Sequence, residues 1–266
     1  MSRFRIAFFG EGRISAEALQ LISDVPFMSE FEVGLLVTSE TVRRSAIERG
    51  VVSDSVPFIS NSRRYVEETL SVIEKTDIDI VLSVQHIWIL APEILDAVGG
   101  NAFNLHNAQL PEYKGYNSVS HAIINGDETF HSTLHWMDPV VDSGDIAFEG
   151  VIPILPDDTA VSLYERSVAS AVEQVRLLLQ GVKEGHVPRR PLEGDGRFYR
   201  RGELETLKNL TQVSDEMEID RLVRGAFFPP HEPAYVEKSG RKHYLLPRRG
   251  WDGIIPRLKS ANEPTW

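Results

Sequence analysis

Apolar positions come in short runs separated by polar stretches that carry glycine and proline, and the spacing of the runs changes partway along the chain. Phe4 to Phe9 (Phe-Arg-Ile-Ala-Phe-Phe) predicts a buried strand, Gly10-Glu11-Gly12 its turn, and Ser15 to Val25 an amphipathic helix. Phe31 to Thr38 predicts a second strand, Pro57 to Ser60 a short third, and Ser62 to Lys75 a helix. Ile78 to Val84 predicts a strand, Pro92 to Val98 a short helix, and Ala102 to His106 the next strand. The polar segment 40–56 has no usable period and stays unassigned. Strands alternating with helices predict a mostly parallel sheet with helices on both faces, an α/β fold.

The alternation then breaks. Asn117 to Asn125 predicts a helix stopped by Gly126, and Ser132 to Met137 and Ile146 to Ile154 predict two strands. Their connection is too short for a crossover helix, so the pair is expected to be antiparallel. Thr159 to Lys183 is the longest helical pattern, with Asp157 or Asp158 as the expected cap and Leu163, Val168, Val172, Val175 and Leu179 as an apolar stripe. Residues 185–197, rich in proline, glycine and charge, predict a linker between an N-terminal domain (1–184) and a small C-terminal α+β subdomain (198–266). That subdomain has a helix near Met217 to Arg224. It ends in a hairpin, with Ala234 to Glu237 and His243 to Leu246 bracketing Ser239-Gly240.

Composition narrows the function classes. The chain has 266 residues and a formal net charge of −11, which speaks against a general nucleic-acid binder. Cysteine is absent, which excludes disulfides, a thiolate nucleophile and thiolate metal ligands. No apolar run is long enough to span a membrane, and Met1 to Arg5 lacks a signal-peptide layout, so a cytoplasmic location is expected. Against the acidic background, Lys238, Arg241, Lys242, Arg248, Arg249, Arg257 and Lys259 form a basic tail. Two readings stand: a solvated edge that keeps a hairpin soluble, or a site for a ligand phosphate or an acidic partner.

Gly10-Glu11-Gly12 invites a dinucleotide-binding reading. However, Ser15 stands where the third glycine of that fingerprint belongs, and no carboxylate clearly ends the second strand, so a tight strand-to-helix turn is the better reading. His131 and His135 have the spacing of a helical metal pair, but Thr129 to Trp136 has strand character, and no metal is expected. His86 and His121 are isolated and read as structural or surface residues. The stretch from Asn104 to Gly144 is different. Asn104 and His106 share one face at the end of a strand, and Leu110-Pro111 and Gly115 turn the chain away, leaving both side chains at an open strand end. Ligands of open α/β sheets bind at such ends.

A long ordered pattern surrounds these residues: Asn-x-His, Leu-Pro-x-Tyr-Lys-Gly, Ile-x-x-Gly-Asp, Thr-x-His-x-Met and Val-Asp-Ser-Gly-Asp-Ile. It resembles the formyltransferase family that uses N10-formyltetrahydrofolate, over roughly Phe4 to Ile154, with a weaker echo around Ile219 to Tyr244. The interval of 36 positions from His106 to Asp142 is as that family's pattern expects. The resemblance implies a Rossmann-like sheet and carries the family's catalytic Asn, His and Asp onto Asn104, His106 and Asp142. Where the family often has Pro-Ser-Leu-Leu-Pro, this chain has Asn107-Ala108-Gln109-Leu110-Pro111, which implies a different acceptor pocket.

The resemblance further implies a pterin pocket formed by Trp88-Ile89-Leu90 and Val140-Val141-Asp142, with core packing the competing role for Trp88. N10-formyltetrahydrofolate is the implied formyl donor. Three acceptors compete within the family: glycinamide ribonucleotide, methionyl-tRNA and nucleotide-linked amino sugars. The acidic charge and a C-terminal piece of about 70 residues favour the sugar nucleotides. GDP-perosamine comes first among them and dTDP-linked 4-amino or 3-amino-dideoxyhexoses next, in O-antigen or surface-polysaccharide synthesis. Tyr113, Lys114, Gly115, Tyr116 and Asn117 are then the expected substrate loop, and the C-terminal subdomain the expected homodimer contact. The alternative from another class is a non-catalytic or dehydrogenase-like nucleotide binder built on the Gly10 turn.

Overall fold

The structure, a computed structural model, describes residues 3–61 and 65–248. In chain order the first half comprises strand β1 (Phe4–Gly10), helix α1 (Gly12–Ser23), β2 (Phe31–Thr38), α2 (Glu40–Glu48), β3 (Phe58–Ser60), α3 (Tyr65–Thr76), β4 (Ile80–Val84), α4 (Pro92–Ala97) and β5 (Ala102–His106). The second half comprises β6 (Lys114–Gly115), α5 (Ser118–Asn125), β7 (Thr129–Trp136), β8 (Ile146–Pro153), α6 (Ala160–Lys183), β9 (Phe198–Tyr199), α7 (Glu203–Thr206), α8 (Glu216–Gly225), β10 (Tyr235–Lys238) and β11 (Arg241–Tyr244).

Seven strands form one sheet in the order β3-β2-β1-β4-β5-β7-β8. The first five are parallel, while β7 runs antiparallel to β5 and also to β8, the latter as the short connection required. Alternate residues of β1 serve opposite faces. Ile6 and Phe8 pack with Ile14 and Leu19 of α1 and Leu178 of α6, whereas Ala7 and Phe9 pack with Ile73 of α3 and Ile94 and Leu95 of α4. With helices on both faces, the strands carry near-continuous apolar runs, and this made them legible. No helix among the described residues is long and apolar enough to cross a membrane.

Four local expectations shift. The unassigned segment holds α2, capped by the Ser39 hydroxyl, which accepts from the Val42 N–H at 3.4 Å. Only Ala46 of α2 is buried, so the helix has little apolar period to read. The cap of α6 is Thr159: its hydroxyl accepts from Ser162 N at 3.2 Å, and the Ser162 hydroxyl accepts from Thr159 N at 2.8 Å. Asp158 instead accepts from Leu155 N (2.7 Å) and the Ser162 hydroxyl (2.9 Å) and pairs with Arg166. Finally, α1 starts at Gly12 and stops at Ser23, because Asp24 is already extended ahead of Pro26.

The expected linker is the fourth case. Arg190 exchanges backbone hydrogen bonds with Ile146 at the start of β8 (2.8 and 2.9 Å), Trp136 Nε1 donates to Pro188 O (2.9 Å), and Arg189 pairs with Asp145 (2.7 Å). Further on, β9 pairs in parallel with β6. The segment is polar because it lies on the surface, yet its backbone groups are spent on neighbouring strand edges. Beyond it, Leu210, Leu222, Val223, Ala226 and Ala234 form a small separate core, and the hairpin closes through Ser239 and Gly240, both with positive φ. Residues 62–64 of the expected α3 and Arg249, Arg257 and Lys259 of the basic tail lie outside the described residues.

The capping box on α6, a 24-residue helix that packs across the sheet, gives a stability test. Thr159→Ala is expected to cost about 1 kcal/mol. It should lower the urea midpoint with unchanged slope; an unaltered midpoint would mean that the box contributes nothing.

Candidate active site

β5 ends in the middle of the sheet and presents Asn104 and His106 from one face. The β5–β7 register sets Asn104 directly opposite His135 and His106 opposite Thr133. Asp142 comes from the turn between β7 and β8 and is held at φ 51. That turn closes only because residue 144 is glycine: a Cβ there would meet Trp136 O at 1.8 Å.

The three side chains predicted from sequence converge. His106 Nδ1 lies 3.8 Å from Asp142 Oδ1, and His106 Nε2–H donates to Tyr113 O at 2.6 Å. A separation of 3.8 Å is too wide for a direct hydrogen bond, but it accommodates a bridging water or amine bonded to both atoms. Asp142 Oδ2 accepts the Gly115 N–H at 3.4 Å.

His135 is a fourth member that the sequence reading did not place. Its Nδ1 lies 2.8 Å from Trp136 O, and a carbonyl only accepts, so Nδ1 carries the proton. The Nε2 of the neutral ring then accepts from Asn104 Nδ2 at 3.1 Å and sits 3.7 Å from Asp142 Oδ1. One N–H of Asn104 is thereby engaged and the other is left to donate elsewhere. The Thr-x-His pattern marked this residue, but its role needs the β5–β7 register.

Asp142 is 8% exposed. Burial alone would raise its pKa. In their cationic forms His106 and His135, together with the Gly115 N–H, outweigh that and hold the carboxyl well below the usual carboxylate range. His121 and His86 behave as structural residues. Burial pushes each down to about 4; His121 stacks on Tyr199 at 4.1 Å and His86 meets Phe9 edge-on at 5.4 Å.

The other expected site residues divide. The 88–90 loop follows β4 and the 140–142 loop follows β7, the two strands that neighbour β5 in the sheet, and Asp142 brings the second loop back to His106. Ile89 (71%), Val140 (65%) and Val141 (38%) expose apolar side chains there, whereas Leu90 is buried and Trp88 packs against the core, the competing role foreseen for it. Tyr113 is turned away from the open site. Its hydroxyl donates to Asp127 and accepts from Asn125 at 2.8 Å, and burial together with Asp127 raises its pKa. Tyr116 and Asn117 are exposed, Lys114 is half-buried, and Gly115 contributes its backbone.

The Gly10 turn is occupied by its own side chains. Glu11 accepts from the Ser39 hydroxyl (2.9 Å) and Asn61 Nδ2 (3.1 Å), and the Ser15 hydroxyl fills the space beneath Gly10. His131 and His135 lie on a strand, about 13 Å apart at its rise per residue, too far to share a metal ion.

Comparison with known proteins matches this architecture to a family described as formyl transferase, over residues 14–178. The chain belongs to that family. GDP-perosamine N-formyltransferase of Brucella melitensis biotype 1 is 31% identical over 169 residues, a stretch spanning 64% of each chain. Methionyl-tRNA formyltransferase of Agathobacter rectalis is 24% identical over 94% of this chain and 81% of that one. The N-formyltransferase of Helicobacter canadensis, solved with folinic acid and dTDP-3-aminofucose, shares the fold with a TM-score of 0.72 at 18% identity, covering 90% of this chain and 86% of that one.

The depressed Asp142 pKa has a defined signature. The stabilisation is complete above the unfolded carboxyl value of about 4 and is lost as pH falls through the lower folded value. Asp142→Asn is therefore expected to flatten the fall in unfolding free energy on acidification below about pH 4, measured by urea titration. An identical slope in both proteins would contradict the pairing.

Proposed function

We propose that the protein transfers a formyl group from N10-formyltetrahydrofolate to the amino group of a nucleotide-linked amino-dideoxy sugar. GDP-perosamine is the first candidate and dTDP-linked 4-amino or 3-amino-dideoxyhexoses the next. The reading rests on one observation above the others: Asn104, His106 and Asp142 meet at a strand end flanked by two apolar loops. The match to GDP-perosamine N-formyltransferase supports the sugar acceptor. The match to methionyl-tRNA formyltransferase keeps tRNA as the second reading, against which stands the net charge of −11.

In the proposed reaction the acceptor amine attacks the formyl carbon, a C–N bond forms, and the bond to folate N10 breaks. The amine loses one proton and N10 gains one. The free N–H of Asn104 is the donor for the oxyanion of the tetrahedral intermediate. His106 and Asp142 bracket the position of an amine or water between them, so the proton leaves the amine through that pair. His135 holds the Asn104 amide and is a positioning residue. Ile89, Val140 and Val141 supply the apolar walls for the pterin, with recognition by loop backbone. A cytoplasmic homodimer contacting through the hairpin, with a role in O-antigen or surface-polysaccharide synthesis, completes the reading. Among the described residues the hairpin pairs two strands, and Tyr244 (52%) and, just after it, Leu246 (44%) are exposed.

A formyl-transfer assay with GDP- and dTDP-linked amino sugars is expected to show turnover with one of them. Asn104→Ala should lower kcat by roughly 10²- to 10³-fold, the loss of one oxyanion donor. Turnover of tRNA alone would transfer the reading to the second acceptor. His135→Phe keeps the ring but frees Asn104, and kcat should fall about tenfold or more while KM for both substrates changes little. Unchanged kcat would remove His135 from the site.

A further inference from the structure

The geometry points to the strap from Asp195 to Arg201 as the part of the acceptor site that binds the diphosphate, with Arg200 and Arg201 as its cations and Tyr116 as the ring that positions Arg201. The inference rests on the sugar-nucleotide reading above and assigns the anionic half of that substrate.

The strap is joined to the loop that touches the site. Lys114 N donates to Arg197 O (2.9 Å), Tyr116 N to Tyr199 O (3.0 Å), and Arg197 N to Pro111 O (3.2 Å). The contact leaves no slack: a Cβ on Gly115 would meet Tyr199 O at 2.4 Å, and one on Gly196 would meet Pro111 O at 1.7 Å. Gly115 also gives its N–H to Asp142 (3.4 Å), so β6 touches the reacting centre at one residue and carries Tyr116 at the next. The Arg201 guanidinium lies over the Tyr116 ring, 4.8 Å from its centroid. Asn117 Nδ2 reaches Arg201 O at 3.4 Å. Side chains of the strap are therefore held at a fixed distance from the amine that must react.

Charge assigns the ligand. On a chain of net charge −11, the strap places Arg197, Arg200 and Arg201 within five residues. Arg197 is committed, pairing with Glu203 at 3.2 Å and covering the Tyr199 ring at 4.2 Å. Glu203, the nearby carboxylate, also accepts the Arg200 N–H at 3.0 Å. Lys114 Nζ donates to Asp195 O at 3.1 Å. Among the described residues, neither the Arg200 nor the Arg201 side chain is paired with a carboxylate. A guanidinium laid on an aromatic face keeps its in-plane N–H donors free, and a phosphate takes them two at a time. In a sugar nucleotide the diphosphate follows directly on the sugar, so an amine at Asp142 brings the phosphates out along β6 and β9. A competing anion is the glutamate tail of the folate. Its engagement by the arginines would show in the donor KM, not the acceptor KM.

The test measures KM for the sugar nucleotide and for the formyl donor separately, and the affinity for GDP and dTDP by calorimetry without donor. The variants are Arg201→Gln, Arg200→Gln and Tyr116→Leu, with Tyr116→Phe as the ring-preserving variant and Arg176→Gln, on the outer face of α6, as control. Arg201→Gln should raise the acceptor KM and weaken the preferred nucleoside diphosphate about tenfold or more, leaving the donor KM unchanged. Arg201→Lys should fall between wild type and Gln, and Tyr116→Phe should match wild type where Tyr116→Leu does not. Variants are compared only where thermal melting shows a wild-type fold, and Arg201→Lys serves if the glutamine variant fails that criterion. Unchanged acceptor KM and nucleotide affinity in an active enzyme would overturn the assignment. A rise in donor KM alone, growing with the number of glutamates, would also overturn it by giving the arginines to the folate tail. Wild type that binds GDP or dTDP through Arg201 without transferring formyl to any sugar would support the strap and sink the function proposed above.

Discussion

The Asp142 carboxylate organises this end of the molecule. A charge removed from water must be paired or neutralised, and a buried carboxylate left alone would cost several kcal/mol. Here the compensation comes from three parts of the chain: His106 from β5, His135 from β7 and the Gly115 N–H from β6. One buried charge therefore connects the centre of the sheet, its antiparallel extension and the loop beside them. The same contact tethers β6 and, through β6, the strap that carries β9.

This dependence accounts for the break in the strand–helix alternation. Although α5 lies between β5 and β7, β7 returns antiparallel to β5, and the short turn from β7 to β8 then carries Asp142. The antiparallel step puts His135 across from Asn104 and returns the chain over the end of β5 within a few residues. Asn104 is thus held by its cross-strand neighbour, a ring whose tautomer is set by the carbonyl of the next residue, Trp136. Such a donor is fixed before any ligand arrives, which is the condition for stabilising charge that develops during a reaction.

The segment that leads into the strap shows how composition can mislead. Proline, glycine and charge between residues 185 and 197 have the character of a flexible connection, and surface segments share that composition for a different reason. A side chain facing water is polar whether or not its backbone is bonded. The pairing of Arg190 with Ile146 and of Phe198-Tyr199 with Lys114-Gly115 leaves no periodic trace, because each involves only one or two residues. Short bridges lie below the length at which alternation can be read, and α2, with one buried residue, fails the same way.

Much of the fold was legible because its strands are buried on both faces. Apolar runs such as Phe4 to Phe9 and Ile80 to Val84 admit one reading once helices alternate with them. That Asn104 and His106 share one face was legible through period-two alternation, a property of the linear chain, while Asp142 was singled out by the resemblance of an extended motif; the structure brings its carboxylate to 3.8 Å from His106. Tertiary structure alone decided the rest: that His135 completes the group, that Tyr113 points inward to Asp127, that Thr159 rather than an aspartate caps α6, and that Arg201 lies on Tyr116. Each depends on the distance between residues far apart in sequence or on competition between neighbouring donors. Local order constrains neither; the register of the sheet and the packing of the strap do.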